Sequence, residues 1–238
     1  MINPGPWVLG VIRDGYSIEF TSPPPLFNLN NETPVPTDPE QRSALEAEIS
    51  TLLQKKAIRQ VDANDTNPLF RSRFFLAPKK QGSWRPILNL RPLNKRFIRP
   101  KRFRMETLAT IIPLLRENMW ATSVDLQDAY LHVPVREDDR RYLAFRYRNV
   151  DYQFQTLPFG LSTAPRVFTR VTRTVLAFLR RSGMSVFAYL DDWLIVSNSK
   201  ESSVRDTRRT VFLLESLGWI VNMQKSSLSP SQTIVYLL

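Results

Sequence analysis

The sequence predicts an α+β fold, and three observations lead to this prediction. The chain has 238 residues, of which 42% are hydrophobic, enough for one large domain or two modest subdomains with a real core. Helix-like and strand-like segments are mixed along it, without the strict alternation of strand and helix that marks a parallel sheet. An acidic turn lies between two runs of β-branched and aromatic residues, which indicates an antiparallel hairpin.

The N-terminal 38 residues predict an extended, proline-rich leader. They hold 7 of the 18 prolines, and the segments 7–12 and 16–20 are apolar enough to dock on a folded domain. We expect that domain to begin near residue 39, because Asp38 is placed to cap a helix that has Pro39 at its first position. One face of this helix carries Leu45, Ile49, Leu52 and Leu53.

The remaining elements follow in order. Strand-like segments at 73–77 and 84–88 flank the basic turn Lys79-Lys-Gln-Gly-Ser83 and predict a hairpin that could fold over a triphosphate. The single histidine, His132, lies in an alternating run and is predicted to be a strand residue. The other predicted elements are a helix at 106–116, a hairpin around Asn149, helices at 163–181 and 198–218, and strands at 219–221 and 233–237.

Two aspartates, Asp191 and Asp192, stand side by side inside the apolar run 185–196. Strands on both sides would place the pair at the tip of a tight hairpin and aim two carboxylates into one small volume. Like charges at this separation repel unless a cation neutralises them, and Mg²⁺ prefers oxygen ligands. The alternative is a plain turn, since aspartate favours turns through hydrogen bonds with its own backbone.

A second acidic segment lies upstream and supports the metal interpretation. A short strand-like run ends at Asp125, and Asp128 is placed to cap whatever turn or helix follows. One carboxylate from each segment, on adjacent strands of one sheet, would make a two-metal site for in-line displacement at phosphorus. The alternative for this segment alone is a strand-end aspartate followed by a helix cap.

Composition excludes several other kinds of site. The chain has no cysteine, which rules out disulfides, thiolate zinc sites and a cysteine nucleophile. With one histidine, a Ser-His-Asp hydrolase or a histidine-ligated metal centre is hard to build. The 7 glycines form neither a dinucleotide-binding nor a P-loop pattern, so nucleotide phosphates would be held by basic side chains and metal. Without a membrane-spanning run or signal peptide, we expect a soluble intracellular protein, nuclear or cytoplasmic, with no membrane partner.

Positive charge is concentrated in one part of the chain. The net charge is +11, and residues 66–105 contain twelve lysines and arginines but no acidic residue. Cations without counter-charges repel one another, so this segment is expected to face a polyanion, and the interleaved aromatic rings suit a nucleic-acid strand. The alternative is a solvated basic face with its aromatics in the core. The residues we assign to nucleic-acid binding are Arg99, Lys101, Arg102 and Arg104.

The predicted helix at 163–181 also has a basic face. Its arginines could lie in solvent or contact RNA, and the solvated face is the interpretation that the sequence favours. They are Arg166, Arg170, Arg173, Arg180 and Arg181.

Six motifs identify the family that this chain resembles. From about residue 40 onward, their order and spacing resemble those of a retroelement reverse transcriptase. The motifs are Phe75-Leu-Ala-Pro-Lys-Lys-Gln-Gly-Ser-Trp-Arg-Pro86, Asn89-Leu-Arg-Pro-Leu-Asn94, Ser123-Val-Asp-Leu-Gln-Asp-Ala-Tyr130, Leu157-Pro-Phe-Gly-Leu-Ser-Thr-Ala-Pro165, Tyr189-Leu-Asp-Asp192 and Leu217-Gly-Trp-Ile-Val-Asn-Met-Gln-Lys225.

Three details make the chain most similar to DIRS-type retrotransposons. The segment Asp128-Ala-Tyr-Leu-His-Val-Pro134 is similar in sequence to theirs, Asn89 stands where aspartate is more usual, and the leader contains Trp7 and Gly15-Tyr16. The tyrosine recombinase of such elements is not part of this chain.

The resemblance implies a right-hand polymerase fold with an antiparallel palm sheet backed by helices. Fingers are expected at about 39–120 and 135–160, and the palm at about 121–134 and 161–238, behind the leader 1–38. The family commonly has an aromatic-Leu-Gly motif where this chain ends in Tyr236-Leu-Leu238, and then continues into a thumb. We therefore expect the thumb to be missing or truncated, and no ribonuclease H segment is present. The sequence is expected to be a fragment or the product of a decayed element.

The resemblance also implies roles for individual residues, beginning with the metal site. Asp125 and Asp191 would bind two Mg²⁺ ions, with Mn²⁺ as an alternative. Asp192 lies beside them, and the carbonyl of Leu126 is a further ligand. Lys225 matches the lysine proposed as general acid for the leaving pyrophosphate.

The nucleotide site is implied by residues of four motifs. Arg85 and Lys79 or Lys80 match fingers residues that grip the phosphates. Tyr130 matches the aromatic steric gate that excludes a 2′-hydroxyl. Phe159 and Gly160 match the nucleotide and template pocket.

The function implied is an RNA-directed DNA polymerase that adds deoxynucleotides to a primer 3′-end. Its partners would be an RNA or DNA template with primer, and deoxynucleoside triphosphates. Two alternatives stay open: a non-catalytic, nucleic-acid-binding remnant of such a polymerase, and a polymerase that makes RNA. Tyr130 argues against the second, because a small residue is needed there to admit ribose.

Overall fold

The computed structural model describes residues 2–26, 31–78 and 84–236. The chain divides into two compact units. The first unit comprises Met1–Val8, Arg102–His132 and Pro165–Leu238, and the second comprises Leu9–Lys101 and Val133–Ala164. The first unit takes in residues 102–120, which the sequence assigned to the fingers.

The elements are numbered in chain order. The helices are α1 (Pro6–Asp14), α2 (Pro39–Gln54), α3 (Arg91–Arg96), α4 (Leu108–Ile111), α5 (Glu137–Arg140), α6 (Ala164–Arg181) and α7 (Lys200–Ser216), with 3₁₀ segments at Ile112–Leu114 and Ala129–His132. The strands are β1 (Ile58–Gln60), β2 (Phe74–Pro78), β3 (Trp84–Leu88), β4 (Trp120–Asp125), β5 (Ala144–Tyr147), β6 (Val150–Phe154), β7 (Ser185–Tyr189), β8 (Asp192–Ser197) and β9 (Ser227–Ser231).

A four-stranded antiparallel sheet forms the centre of the first unit. Its strand order is β7-β8-β4-β9, so β7 and β9 are its edges. Helix α7 lies across β4, β8 and β9, and its N-cap residue is Ser199. Trp193 and Ile195 of β8 are fully buried. Their neighbours Leu194 and Val196 project to the other face, because side chains alternate along a strand, and pack against Ile111. The predicted sheet backed by helices is thus confirmed.

The second unit contains a three-stranded sheet of order β1-β6-β5 and the separate hairpin β2-β3. The turn between β5 and β6 places Arg148 and Asn149 at φ 48° and 61°, the left-handed region typical of two-residue hairpin turns. Helix α2 begins after Asp38, whose carboxylate accepts the backbone N–H groups of residues 40 and 41. The predicted helix cap and both predicted hairpins are therefore confirmed.

A buried ion triad connects this sheet with the segment before β2. The Asp151 carboxylate accepts hydrogen bonds from Arg71 at 2.7 and 2.8 Å and from Arg146 at 3.2 and 2.6 Å. Only 12% of the Asp151 side chain and 8% of the Arg71 side chain are exposed. Burial by itself raises the pKa of Asp151, but the two guanidinium groups outweigh it, so the pKa of Asp151 lies below its ordinary value.

Asp151→Asn is expected to lower the free energy of unfolding by about 3 kcal/mol at pH 7, because the buried Arg71 and the partly buried Arg146 lose their counter-charge. A carboxyl whose pKa is depressed by folding stabilises the fold above its unfolded pKa and loses that contribution as the pH falls through its folded pKa. The difference between wild type and variant should therefore shrink in acid. Urea unfolding at pH 7 and pH 3 measures it, with Asp138→Asn, an exposed carboxylate of α5, as control. Equal differences at both pH values would contradict the assigned charge pairing.

The leader departs from the extended conformation predicted for it. Residues Pro6–Asp14 form α1, which the proline count concealed because a proline at the start of a helix is compatible with it. Gly15 then adopts φ 85°, and a Cβ atom there would lie 2.5 Å from the backbone nitrogen of Arg136. Tyr16 is 1% exposed, and its N–H donates to the carbonyl of Pro134. The second docking segment is thus held by backbone bonds.

Four smaller predictions are wrong. The strand expected at 219–221 is reduced to an isolated bridge between Val221 and Leu126. The helix expected at 106–116 is reduced to α4 and a 3₁₀ turn, since Pro113 cannot continue an α-helix. The last strand is Ser227–Ser231, whereas residues 233–236 form none. His132 belongs to a 3₁₀ segment, where its Nε2 lies 3.0 Å from the carbonyl oxygen of Gln127.

Helix length and polarity bear on membrane insertion. Within the described ranges, no helix combines the length and the apolar character that crossing a membrane requires.

Candidate active site

The paired aspartates lie at the hairpin that joins β7 and β8. Tyr189 pairs with Asp192, so Leu190 and Asp191 form the turn and Asp192 begins β8. Leu190 has φ 55°, an unfavourable conformation for a branched side chain that its surroundings must hold in place. The predicted strand-turn-strand arrangement of this motif is confirmed.

Strand β4 brings the third carboxylate to the same place. It runs antiparallel to β8, and its last residue, Asp125, is the register partner of Asp192. Beyond the strand, the N–H of Leu126 donates to the carbonyl of Asp191 at 3.0 Å. Asp125 therefore meets the Asp191-Asp192 pair, which begins 66 residues later in the sequence, at one end of two neighbouring strands.

These side chains line an open pocket of about 410 Å³ in the first unit. The exposed Lys225 contributes the positive charge of the lining. The lining consists of Ser123, Val124, Asp125, Asp191, Asp192, Lys225, Val235 and Tyr236.

Folding raises the pKa of all three carboxyls. For Asp192, burial is the main cause, and repulsion by Asp191 and Asp125 adds to it, which brings the pKa to about 6. Burial also raises the pKa of Asp125 and of Asp191, and the charge of Lys225 opposes the shift in both. The pocket therefore concentrates negative charge that one lysine offsets only in part, and a bound cation would relieve it.

The donor set fits a divalent metal that is shared with a substrate. Among the residues described, no three side chains of His, Cys, Asp or Glu converge closely enough to form a complete metal cage. Mg²⁺ is usually held by one or two carboxylates together with substrate phosphates and water, and seldom by a cage made of protein alone. Hard carboxylate oxygens of raised pKa on one open pocket are compatible with that mode of binding.

Asp125 is held in place by two backbone contacts, neither of which the sequence suggested. Its backbone N–H donates to Ser226 Oγ at 3.0 Å, and Ser226 Oγ in turn donates to the carbonyl of Asn222 at 2.7 Å. The N–H of Asn222 donates to the carbonyl of Asp125 at 2.9 Å. The segment that carries Lys225 is thereby fixed against the end of β4. A polar pair four residues apart, Asn222 and Ser226, is the local signal that could have indicated this turn.

Tyr236 is a second residue that the sequence did not assign to this pocket. Its hydroxyl donates to the backbone carbonyl of Asp192 at 2.9 Å. Burial raises the pKa of the Tyr236 phenol, and the charge of Asp192 adds to the shift, so this donor stays protonated at neutral pH. An aromatic residue eleven positions after Lys225 carries no local signal that would have revealed the contact.

Tyr130 lies near the aspartates, in the 3₁₀ segment that follows β4. Its partly buried ring packs edge to face against Phe168, with ring centroids 5.7 Å apart. Burial raises the pKa of Tyr130 to about 12, and the charge of Asp191 contributes to the shift. The structure therefore brings Tyr130 into the electrostatic range of the hairpin formed by β7 and β8.

The predicted phosphate-gripping residues belong to the second unit. Lys79 and Lys80 lie outside the described residues. Arg85 pairs with Ala77 in the β2-β3 hairpin, and its side chain likewise lies outside them.

Phe159 and Gly160 occupy a loop of the second unit that one asparagine holds. The Asn94 amide donates to the carbonyl of Gly160 at 2.7 Å and accepts the N–H of Ser162 at 3.0 Å. Gly160 adopts φ 99°, and a Cβ atom there would lie 2.9 Å from the carbonyl oxygen of Leu88. Phe159 is 46% exposed, which leaves its ring accessible to a ligand.

All four residues assigned to nucleic-acid binding are exposed, with Arg99 and Lys101 in the second unit and Arg102 and Arg104 in the first. Lys101 forms an ion pair with Glu19.

Four arginines of α6 are exposed, as the solvated face favoured by the sequence predicts: Arg170, Arg173, Arg180 and Arg181. Three of them also make contacts within the first unit. Arg170 stacks on the ring of Trp7 at 3.9 Å, Arg173 donates to the carbonyl of Arg104 at 2.9 Å, and Arg180 pairs with Glu106. These three guanidinium groups hold other segments of the first unit.

The sequence model of the family described as reverse transcriptase (RNA-dependent DNA polymerase) matches residues 77–237. The Transposon Tf2-3 and Tf2-7 polyproteins of Schizosaccharomyces pombe are 29% and 28% identical to this chain over 197 residues. Those residues are 83% of this chain and 14% of each polyprotein, so the chain spans a small part of these relatives.

Solved structures of similar fold come from a foamy virus. A foamy viral protease-reverse transcriptase in complex with double-stranded DNA superposes with a TM-score of 0.71 at 19% identity, covering 92% of this chain and 38% of that chain. The native protease-reverse transcriptase of prototype foamy virus gives 0.67 at 21% identity, covering 83% and 26%. These likenesses confirm the predicted fingers and palm fold.

Proposed function

Because the chain belongs to the reverse transcriptase (RNA-dependent DNA polymerase) family, we propose that it is the RNA-directed DNA polymerase domain of a retrotransposon polyprotein. The observation that carries this proposal is the convergence of Asp125, Asp191 and Asp192, with Lys225, on one open pocket. The reaction adds a deoxynucleotide to a primer 3′-end and releases pyrophosphate. In this proposal the first unit corresponds to the palm and the second to the fingers.

The acidic pocket supplies the ligands for two divalent ions. Asp125, Asp191 and the carbonyl of Leu126 would hold Mg²⁺, or Mn²⁺ in its place, and Asp192 lies beside them. When bound, such ions activate the primer hydroxyl and stabilise charge on the phosphates. Lys225 lies at the same pocket, where its ammonium group donates a proton to the leaving pyrophosphate.

The other proposed roles concern substrate binding. Lys79, Lys80 and Arg85 grip the triphosphate, and Phe159 with Gly160 forms the pocket for nucleotide and template. The template is RNA or DNA paired with a primer. The complex of the foamy viral relative with double-stranded DNA supports a paired nucleic acid as the partner.

We further propose that the parent element is of the DIRS type. The support lies in the segment Asp128-Ala-Tyr-Leu-His-Val-Pro134, in Asn89, and in the leader with Trp7 and Gly15-Tyr16. A reading frame for a tyrosine recombinase in the same element would support this assignment, and one for a different type of integrating enzyme would overturn it.

Primer extension with the purified chain tests the proposed activity. The substrates are an RNA template with a DNA primer, the four deoxynucleotides and Mg²⁺. Stepwise extension that requires the template supports the proposal. Binding of primer-template without extension indicates the non-catalytic remnant, and a preference for ribonucleotides indicates an RNA-making polymerase.

Binding of primer-template should weaken steeply as salt rises, because exposed cations release counter-ions from the phosphates. Each phosphate neutralised contributes a log-log slope of about −0.9 on duplex B-DNA and about −0.7 on single strands. Charge reversal at Arg99, Arg102 or Arg104 should make the slope shallower by roughly the contribution of one phosphate contact. Fluorescence anisotropy over a salt series measures this, with Arg205→Glu on α7 as the matched control. An affinity that does not depend on salt would remove nucleic acid as the partner of the basic segment.

A further inference from the structure

We propose that Glu106 and Arg180 are positioning residues that clamp β7. This strand is the first of the catalytic hairpin, which consists of β7, β8 and the turn between them. The inference rests on the proposed function, because the hairpin they hold carries Asp191 and Asp192. Neither residue belongs to the lining of the pocket that holds the aspartates.

The need for such a clamp follows from the sheet order. Strand β7 is an edge, so β8 satisfies its backbone groups on one side only. The unpaired N–H and C=O groups of an edge strand require partners of another kind. The next two residues, Leu190 and Asp191, form the turn, and Leu190 is held at φ 55°. If the outward backbone groups of β7 had no partners, the strand could shift and Leu190 could leave its unfavourable φ.

Glu106 and Arg180 supply the missing partners. The Glu106 carboxylate accepts the N–H of Ala188 at 2.9 Å with one oxygen, and a hydrogen bond from Arg180 at 2.6 Å with the other. Arg180 also donates to the carbonyl of Val186 at 2.8 and 2.5 Å. The ion pair therefore bonds the outward N–H and the outward C=O of β7, as the backbone of a further strand would.

Both residues are themselves anchored. Arg180 belongs to the last turn of α6, and its guanidinium lies 5.6 Å from the centroid of the Phe187 ring. Two residues before Glu106, the carbonyl of Arg104 accepts a hydrogen bond from Arg173 of the same helix. The clamp thus connects α6, the segment before α4 and the catalytic hairpin, and Ala188 lies three residues before Asp191.

The clamp is tested with Glu106→Ala, Arg180→Ala, the double variant, and Arg205→Ala as a control that removes an exposed guanidinium of another ion pair, on α7. The first measurement is the single-turnover rate of nucleotide addition to a bound primer-template. We expect each clamp variant to lower this rate by about tenfold, as a small displacement of catalytic groups does, with unchanged affinity for the primer-template. The double variant should lose no more than either single one, because the two residues act as a unit.

Two further measurements separate positioning from a general loss of stability. Glu106→Gln keeps a carbonyl oxygen for the N–H of Ala188, and we expect it to recover part of the rate that Glu106→Ala loses. Amide hydrogen exchange should quicken at Ala188, Leu190 and Asp191 in both alanine variants and remain unchanged in the control.

Three outcomes would overturn the inference. Faster exchange at Ala188 with an unchanged rate of addition would mean that the ion pair only protects the sheet edge. Unchanged exchange at Ala188 would mean that the ion pair does not hold β7 in place. Additive losses in the double variant would mean that the residues act separately.

If the unsubstituted chain adds no nucleotide, the proposed function fails. Exchange at Leu190 and Asp191 then decides the clamp by itself, since faster exchange supports it and unchanged exchange overturns it.

Discussion

Asp125→Asn and Asp191→Asn are each expected to lower the rate of nucleotide addition by roughly a thousandfold or more. Each substitution keeps the size of the side chain and removes a charge that would bind metal. Metal-centred electrostatics contributes several kcal/mol to such reactions, and each 1.36 kcal/mol corresponds to about a tenfold change in rate. Asp192→Asn should also lower the rate, by a smaller factor. Single-turnover extension of a labelled primer measures all three.

The fold should survive these substitutions, because the three carboxyls are held at raised pKa values by burial and pack no core. Melting temperatures should therefore not fall. Glu215→Gln, which neutralises an exposed carboxylate of α7, is the control for a change of net charge. Near-normal extension by Asp191→Asn, in any active segment of the polyprotein that contains this chain, would show the two-metal assignment to be wrong.

Tyr130→Ala is expected to raise the use of ribonucleotides relative to deoxynucleotides by at least about tenfold. An aromatic ring beneath the sugar leaves no room for a 2′-hydroxyl, and a clash raises the barrier for one substrate only. The position of Tyr130 near Asp191 supports this role, since the sugar of an incoming nucleotide lies close to its phosphates. The ratio of kcat/KM for the two sugars, measured with one base, is the decisive quantity.

A core role for the same ring makes a different prediction. Truncating a fully buried aromatic costs about 3–5 kcal/mol of stability. The ring of Tyr130 is only partly buried, against Phe168, so we expect a smaller loss. Tyr130→Phe keeps the ring and should retain the discrimination against ribose. An unchanged sugar ratio together with a lowered melting temperature in Tyr130→Ala would leave the gate without support.

The catalytic hairpin could be predicted from the sequence because its signals are local. Two runs of β-branched and aromatic residues around one turn specify β7 and β8 with no help from distant contacts. The strand before Asp125 and the capped helix after Asp38 were predictable for the same reason. Proximity of Asp125 to Asp192 followed once both strands were placed in one sheet.

Most of the parts that escaped prediction depend on partners distant in sequence. Strand β9 has the sequence Ser-Leu-Ser-Pro-Ser, which has little strand propensity and pairs only because β4 offers an edge. Tyr236 and Glu106 reach the catalytic hairpin from positions 44 and 82 residues away. Helix α1 was concealed because its prolines lie at and before its first residue, where they do not interrupt it.

The register of β4 against β8 has a consequence for how this chain can change in length. Side chains alternate between the two faces of a strand, so deleting one residue inside β8 would exchange the faces of every residue beyond it. The side of the sheet that now buries Trp193 and Ile195 at 0% exposure would then receive their neighbours. Point substitutions in β8 alter one contact each, whereas a single insertion or deletion dismantles the pairing of Asp125 with Asp192. Length variation among descendants of this element should therefore be confined to loops, such as the one from Asp62 to Pro68.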